Sequence, residues 1–178
     1  MNVKTSYILS GLLSVAILSA CSSVGGDTLE NIQDNGKVQV GVANERPYGY
    51  EEADGGVTGA SVEVARAVFS ELGVDELEGS VVEFDALING VNSRNFDVVT
   101  AGVYITPDRC ENALFSEPDY RIGEGLAVQP GNPHNITSYQ DIADNPDLTV
   151  TVMSGAIEIE YLREMGVDNS QIEQVSSI

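Results

Sequence analysis

The amino-acid sequence predicts an α/β fold in which helices cover a parallel sheet. Two observations carry this expectation. Segments of strand and helix character alternate in the order β-α-β-α-β over residues 37–101. In addition, 42% of the 178 residues are hydrophobic, which supplies a core and separates the chain from disordered acidic tails. The length allows one full domain or one and a half small ones.

Each element has a local reason. Residues 28–35 read as a short helix, opened by an Asp27-x-x-Glu30 cap and closed by Gly36. Residues 37–43 (KVQVGVA) place Val38, Val40 and Val42 on one face of a strand. Residues 44–56 form a polar, aromatic loop with a hairpin turn expected at Asp54-Gly55-Gly56. Residues 60–72 set Val62, Ala65, Val68, Phe69 and Leu72 on one helical face, and Gly73 ends the run. A short strand is expected at 80–84, a helix capped by Asp85 through Leu87, Ile88 and Val91, and a strand at 96–101 (FDVVTA). A further strand is expected at 123–129, followed by the break Pro130-Gly131-Asn132-Pro133. Beyond it come a helix at 138–144, a strand at 148–152, a turn at Met153-Ser154-Gly155, a helix at 156–165 and a strand within 171–177.

These elements divide into a first lobe at 28–128, a hinge at 129–133 and the start of a second lobe at 134–178. The last piece has too few elements to bury a core of its own, so the chain is expected to be a fragment with an incomplete second lobe. Ligands of such sheets bind beyond the carboxyl ends of the strands. That rule singles out the loops at 44–50, 84–86 and 102–109.

Residues 1–20 (MNVKTSYILSGLLSVAILSA) have one positive residue, Lys4, ahead of a mostly apolar stretch at 7–18. The stretch is too short to cross a ~30 Å hydrocarbon layer as a helix and reads as a signal peptide. Leu18-Ser19-Ala20-Cys21 resembles a lipobox, with 21–27 as lipidated cysteine and flexible tether. The expected location is outside the cytoplasm, in the periplasm or on the cell surface, held to the membrane by lipid alone. A plain secretory signal with an incidental cysteine is the simpler alternative. Cys110 is the other cysteine and is expected to be a buried structural thiol.

The chain carries 28 acidic and 8 basic residues, a net charge of −20 that falls to −21 without the leader and its Lys4. Scattered basic residues in an acidic field exclude nucleic acid as a partner. Carboxylates keep a protein hydrated where salt screens their repulsion, so the acidity reads as adaptation to saline surroundings or simply as an acidic surface. Nothing in the pattern points to a metal or cofactor.

Several motifs together resemble family 3 extracellular solute-binding proteins of ABC importers. They are residues 59–68 (GASVEVARAV), Phe96-Asp97-Val98-Val99 with 102–109 (GVYITPDR), 115–120 (FSEPDY, one residue longer than the family's pattern before Tyr120) and 150–156 (VTVMSGA). Residues 43–50 (ANERPYGY) and 104–111 (YITPDRCE) are most similar to the ectoine/hydroxyectoine-binding members. The resemblance implies a type II periplasmic-binding-protein fold, a ligand between two lobes, an ABC permease as partner and no catalysis.

Ectoine joins a carboxylate to a cyclic amidinium. Arg109 offers a planar guanidinium fork for the carboxylate, held near the strand end by Thr106 and Pro107 as cap and first position of a helical turn. Without the resemblance, a surface Arg109 paired to Asp108 or Glu111 is the plainer reading. Ser154, Gly155 and Ala156 begin a helix whose free N–H groups suit an anion, or form an ordinary strand-to-helix turn. Glu45 suits the amidinium, with the faces of Tyr104 and Phe84 beside it; a solvated loop acid and a core phenylalanine are the alternatives. Tyr48 and Tyr50 read as rim residues. Three rival functions share the fold: a polar amino-acid-binding protein, an arogenate/prephenate dehydratase with Glu45 as acid or base, and a receptor's sensing domain. The last lacks a membrane-spanning run after residue 20.

Overall fold

A computed structural model describes residues 28–177. Helix α1 (Thr28–Asn35) buries Ile32 and ends at Gly36. Strand β1 (Lys37–Val42) follows, and Val38, Val40 and Val42 are fully buried on one face, as the alternation predicts. β1 is the centre of a parallel sheet of order β4-β1-β5, with β4 at Glu76–Val81 and β5 at Val98–Val99. Strands β2 (Tyr50–Glu51) and β3 (Val57–Thr58) form the expected hairpin, and the Asp54 carboxylate accepts from Gly56 N–H within its turn. Helix α2 (Ala60–Glu71) and helix α3 (Leu87–Asn92) complete the crossovers.

Two cores flank this sheet. Val38, Val40 and Val42 pack with Ile32, Val57, Val62 and Val74 on one side. On the other, Phe84, Leu87, Phe96 and Ala101 gather with Ala43 and Met153. Gly41 separates the two, because a Cβ there would stand 2.6 Å from the Phe96 ring. A side chain at this position of the central strand would push the ring off the sheet.

The remainder pairs β6 (Val150–Met153) in parallel with β7 (Ile172–Val175). Helices α5 (Tyr139–Ala143) and α6 (Glu158–Glu164) cover them, α5 being preceded in sequence by α4 (Pro107–Cys110). A capping box of Ser138 and Asp141 opens α5. Contrary to expectation, residues after 133 do bury a cluster: Ile142, Val152, Ile159, Leu162 and Val167. Buried Gln171 closes its base, its amide donating to the carbonyls of Ile142, Asn145 and Leu148 at 3.0–3.1 Å.

Other expectations need correcting. The strand expected at 80–84 lies at Glu76–Val81, an edge strand whose polar sequence has no apolar alternation, and Phe84 opens a 3₁₀ turn (Phe84–Ala86). Asp85 sits inside that turn and does not cap α3, whose N-cap is Ala86. Only Val98 and Val99 of 96–101 join the ladder. Residues 123–129 form no strand, since no described strand pairs with them. On α2, Val68 and Leu72 face outward at 51% and 40% exposure while Val62 faces the core, so the predicted single apolar face is divided. Cys110 is exposed. Its turn lies on the surface, held by main-chain bonds, and has no buried residue. Residues 1–27, with the signal peptide and Cys21, lie outside the described residues.

Candidate functional site

The ends of β1 and β5 and the turn after β6 meet at one place. Asn44 leaves β1 in a left-handed conformation (φ 56°), and its side-chain oxygen accepts from Glu51 N–H at 2.9 Å. That reversal folds the loop back, with Glu45 N–H donating to the Gly49 carbonyl at 2.9 Å. At the end of β5 the chain reaches Thr106, whose hydroxyl accepts from Arg109 N–H at 3.2 Å as the N-cap of α4. This is the capped turn with Pro107 that the sequence predicts.

Arg109 is the centre of the arrangement. Its Nη1 donates to the Tyr104 carbonyl and its Nη2 to the Gly155 carbonyl, both at 2.9 Å. A guanidinium has five N–H donors, so three remain. Its carbon stands 5.7 Å from the centre of the Phe84 ring, within cation–π range. The alternative pairing to Asp108 or Glu111 is not formed: neither described ion pair, Lys37–Glu78 or Glu63–Arg66, involves Arg109. Burial lowers its pKa, and Glu158 and Glu160 oppose that shift. A cavity of about 110 Å³ lies between Phe84, Asp85, Leu87, Ile88, Val103, Arg109 and Gly155. Ligand pockets usually hold ~300 Å³ or more, so a solute of ten or so heavy atoms requires this one to widen.

The turn at Ser154, Gly155 and Ala156 differs from the expected anion cradle. Helix α6 starts only at Glu158, with Ile157 as N-cap. Ser154 N–H donates to the Val175 carbonyl at 2.8 Å and Ala156 N–H to the Met153 carbonyl at 3.1 Å. Of the three N–H groups of this turn, that of Gly155 has no partner among the described residues. Gly155 (φ 78°) abuts Asp85, where a Cβ would come within 2.8 Å. A glycine is therefore needed for both the conformation and the approach.

Glu45 and Tyr104 both feel the charge of Glu158, in an acidic and aromatic group. Burial, and then the charge of Glu158, push the Glu45 carboxyl up to about 7. Its Oε2 is buried and has no hydrogen-bond partner. Tyr104 is pushed up to about 12, by burial first and then by Glu124. Tyr139 is likewise pushed up to about 12, by burial and then Glu124. The Glu124 carboxyl is raised by burial and then by Glu158, although much of the residue is exposed. Tyr48 stacks on Tyr120 with ring centres 5.4 Å apart, and burial first raises the Tyr120 hydroxyl. The Arg46 guanidinium covers the Tyr50 ring at 4.0 Å, which keeps Tyr50 at the rim.

Phe84, Tyr104 and Gly155 thus each meet Arg109, and Glu45 lies within reach of the charge of Glu158. Sequence reasoning missed Glu124, Glu158 and Tyr139. Glu158 reads in sequence as an ordinary first-turn helix acid, and Glu124 follows no motif. Among the described residues no group of acids, histidines and cysteines has the spacing of a metal site. No described helix is long and apolar enough to cross a membrane.

Known proteins share the sequence pattern and fold of this chain. The sequence profile of the bacterial extracellular solute-binding proteins, family 3, matches residues 38–173. A probable amino-acid ABC transporter periplasmic-binding protein of Sinorhizobium fredii is 33% identical over 96% of this chain and 57% of its own length. The crystal structure of EhuB in complex with hydroxyectoine superposes with a TM-score of 0.74 at 33% identity, covering 84% of this chain and 58% of that one. The ancestral amino-acid-binding protein AncCDT-1, a precursor of cyclohexadienyl dehydratase, superposes with a TM-score of 0.73 at 28% identity, over 85% of this chain and 64% of its own. The chain therefore has the mixed α/β periplasmic-binding-protein fold and spans somewhat under two thirds of the length of these relatives.

Proposed function

This chain belongs to the family 3 bacterial extracellular solute-binding proteins, and we propose that within that family it serves an ABC importer by binding a small zwitterionic compatible solute, ectoine or hydroxyectoine. The carrying observation is a single guanidinium, Arg109, that stands over the Phe84 ring, donates to the Tyr104 carbonyl and lies within reach of the charge of Glu158. A carboxylate takes the remaining Arg109 donors and the Gly155 N–H. The amidinium lies toward Glu45, Tyr104 and Phe84. The likeness to a hydroxyectoine complex supports the same ligand.

Further parts of the reading go with it. The ligand lies between a first lobe at 28–128 and a second that begins at 134, joined through 129–133. The protein is anchored by lipid on Cys21, and its acidity suits salty surroundings. Its role is binding alone, as in the binding proteins it is similar to.

A second reading, a polar amino acid as ligand, has its own support: the carboxyls of Glu45, Glu124 and Glu158 equally suit an ammonium group. Calorimetry with ectoine, proline, glutamate, arginine and glycine betaine separates the two. Ectoine should bind tightest, and tighter binding of any standard amino acid would replace it as the ligand.

A further inference from the structure

The Glu45 carboxylate is placed by its loop. Its Oε2 is buried with no hydrogen-bond partner, and neither described ion pair includes Glu45. The loop closes on the same residue: the Tyr48 and Gly49 N–H groups both donate to the Glu45 carbonyl, at 2.8 and 3.0 Å. Whatever fixes Tyr48 and Gly49 therefore fixes Glu45.

The loop is clamped on several sides. At the start of α2, the Ala60 and Ser61 N–H groups donate to the Pro47 and Tyr48 carbonyls at 2.9 and 3.0 Å. At the end of β5, Gly49 lies so close that a Cβ on it would run into the Thr100 carbonyl. The remaining clamp is made of side chains. The Tyr120 ring stacks on the Tyr48 ring, with centres 5.4 Å apart and planes 12° from parallel. Ser61 Oγ donates to the Tyr120 hydroxyl at 3.3 Å. Gly102 leaves room for both rings, since a Cβ there would stand 2.9 Å from Tyr48 Cγ and 3.0 Å from the Tyr120 hydroxyl. Tyr120 is half-buried, whereas residues 116–119 and 121–125 around it are all exposed. It also belongs to none of the hydrophobic clusters. Its ring is anchored on the loop and not in a core.

We propose that Tyr120 is a positioning residue of the solute site: through the Tyr48 ring it holds the 45–49 loop so that the Glu45 carboxylate meets the solute's cationic end. This rests on the solute-binding reading and adds a residue that acts on the site without touching the solute. Calorimetry of ectoine with the purified wild type, Tyr120→Leu and Tyr120→Phe tests it, each protein being checked for cooperative unfolding. Tyr120→Leu removes the stack and should weaken binding about three- to tenfold, the scale of one lost aromatic pair. Tyr120→Phe keeps the stack and should recover most of that loss. In a Glu45→Gln background, Tyr120→Leu should change affinity by less than about twofold, because no carboxylate is left to position. Should Tyr120→Leu not unfold cooperatively, Tyr120→Met, with an adaptable unbranched side chain, takes its place in the same cycle. Wild-type affinity in Tyr120→Leu, a Tyr120→Phe as weak as Tyr120→Leu, or an equal loss with and without the Glu45 carboxylate overturns the proposal and leaves the solute-binding reading standing. A wild type that does not bind ectoine removes both.

Discussion

Glu45 offers a prediction that the geometry makes quantitative. Its carboxyl is pushed up to about 7 in the unliganded protein, by burial first and by Glu158 second. A cationic ligand group beside it favours the ionised form and returns the pKa toward its ordinary value of ~4.3. Binding below pH 7 therefore expels a proton: ~0.9 per ligand at pH 6, falling to ~0.1 at pH 8. The sign follows directly. Acid favours the protonated, unliganded state, so affinity rises as pH rises from 5 to 8. For a single group with these values the rise is ~80-fold, an upper bound because solvent access to the half-buried carboxyl screens part of the effect. Ectoine keeps its carboxylate and amidinium charges across this window, so the dependence belongs to the protein. Calorimetry in two buffers of different ionisation enthalpy counts the proton, and Glu45→Gln should flatten the profile. A wild-type affinity that is flat, or that falls between pH 5 and 8, would refute the placement of the cation beside Glu45.

Other outcomes follow from packing and charge. Gly41→Ala places a methyl 2.6 Å from the Phe96 ring at the central strand and should destabilise the protein by ~1–3 kcal/mol in denaturant titration. Leu162→Ala empties the fully buried centre of the cluster formed after residue 133 and should cost ~2–5 kcal/mol. With a net charge of −20, the melting temperature should rise from low salt to molar NaCl as repulsion is screened; a flat or falling trend contradicts the saline reading. Cys21→Ala should move the protein from the membrane fraction to the soluble one, and equal solubility of mutant and wild type would contradict the lipid anchor.

The sequence was most legible where one physical signal dominated. The alternation of Val38, Val40 and Val42 marks the buried central strand, and Thr106-Pro107 marks the capped turn that carries Arg109. Strand β4 was displaced because an edge strand is specified by main-chain pairing with β1, and ELEGSV carries no apolar period. The helix at 156–165 was begun too early: Ser154 and Ala156 N–H groups close the β6 turn before the helix starts. The meeting of Glu124 and Glu158 was invisible for a different reason. Glu124 and Glu158 lie 34 positions apart in the chain, and only the packing of Met153 and Gly155 against Phe84, Asp85 and Arg109 brings that part of the chain to the strand ends. No local pattern encodes such a meeting.

The central claim is that Arg109 receives the ligand's carboxylate. Titration calorimetry of ectoine with wild type, Arg109→Lys and Arg109→Ala tests it directly. Removing the guanidinium leaves a desolvated carboxylate without its charged partner, so Arg109→Ala should lose ~2–5 kcal/mol of binding free energy, and Arg109→Lys should recover only part because an ammonium lacks the planar fork. Wild-type affinity in Arg109→Ala, in a protein that still unfolds cooperatively, would contradict it.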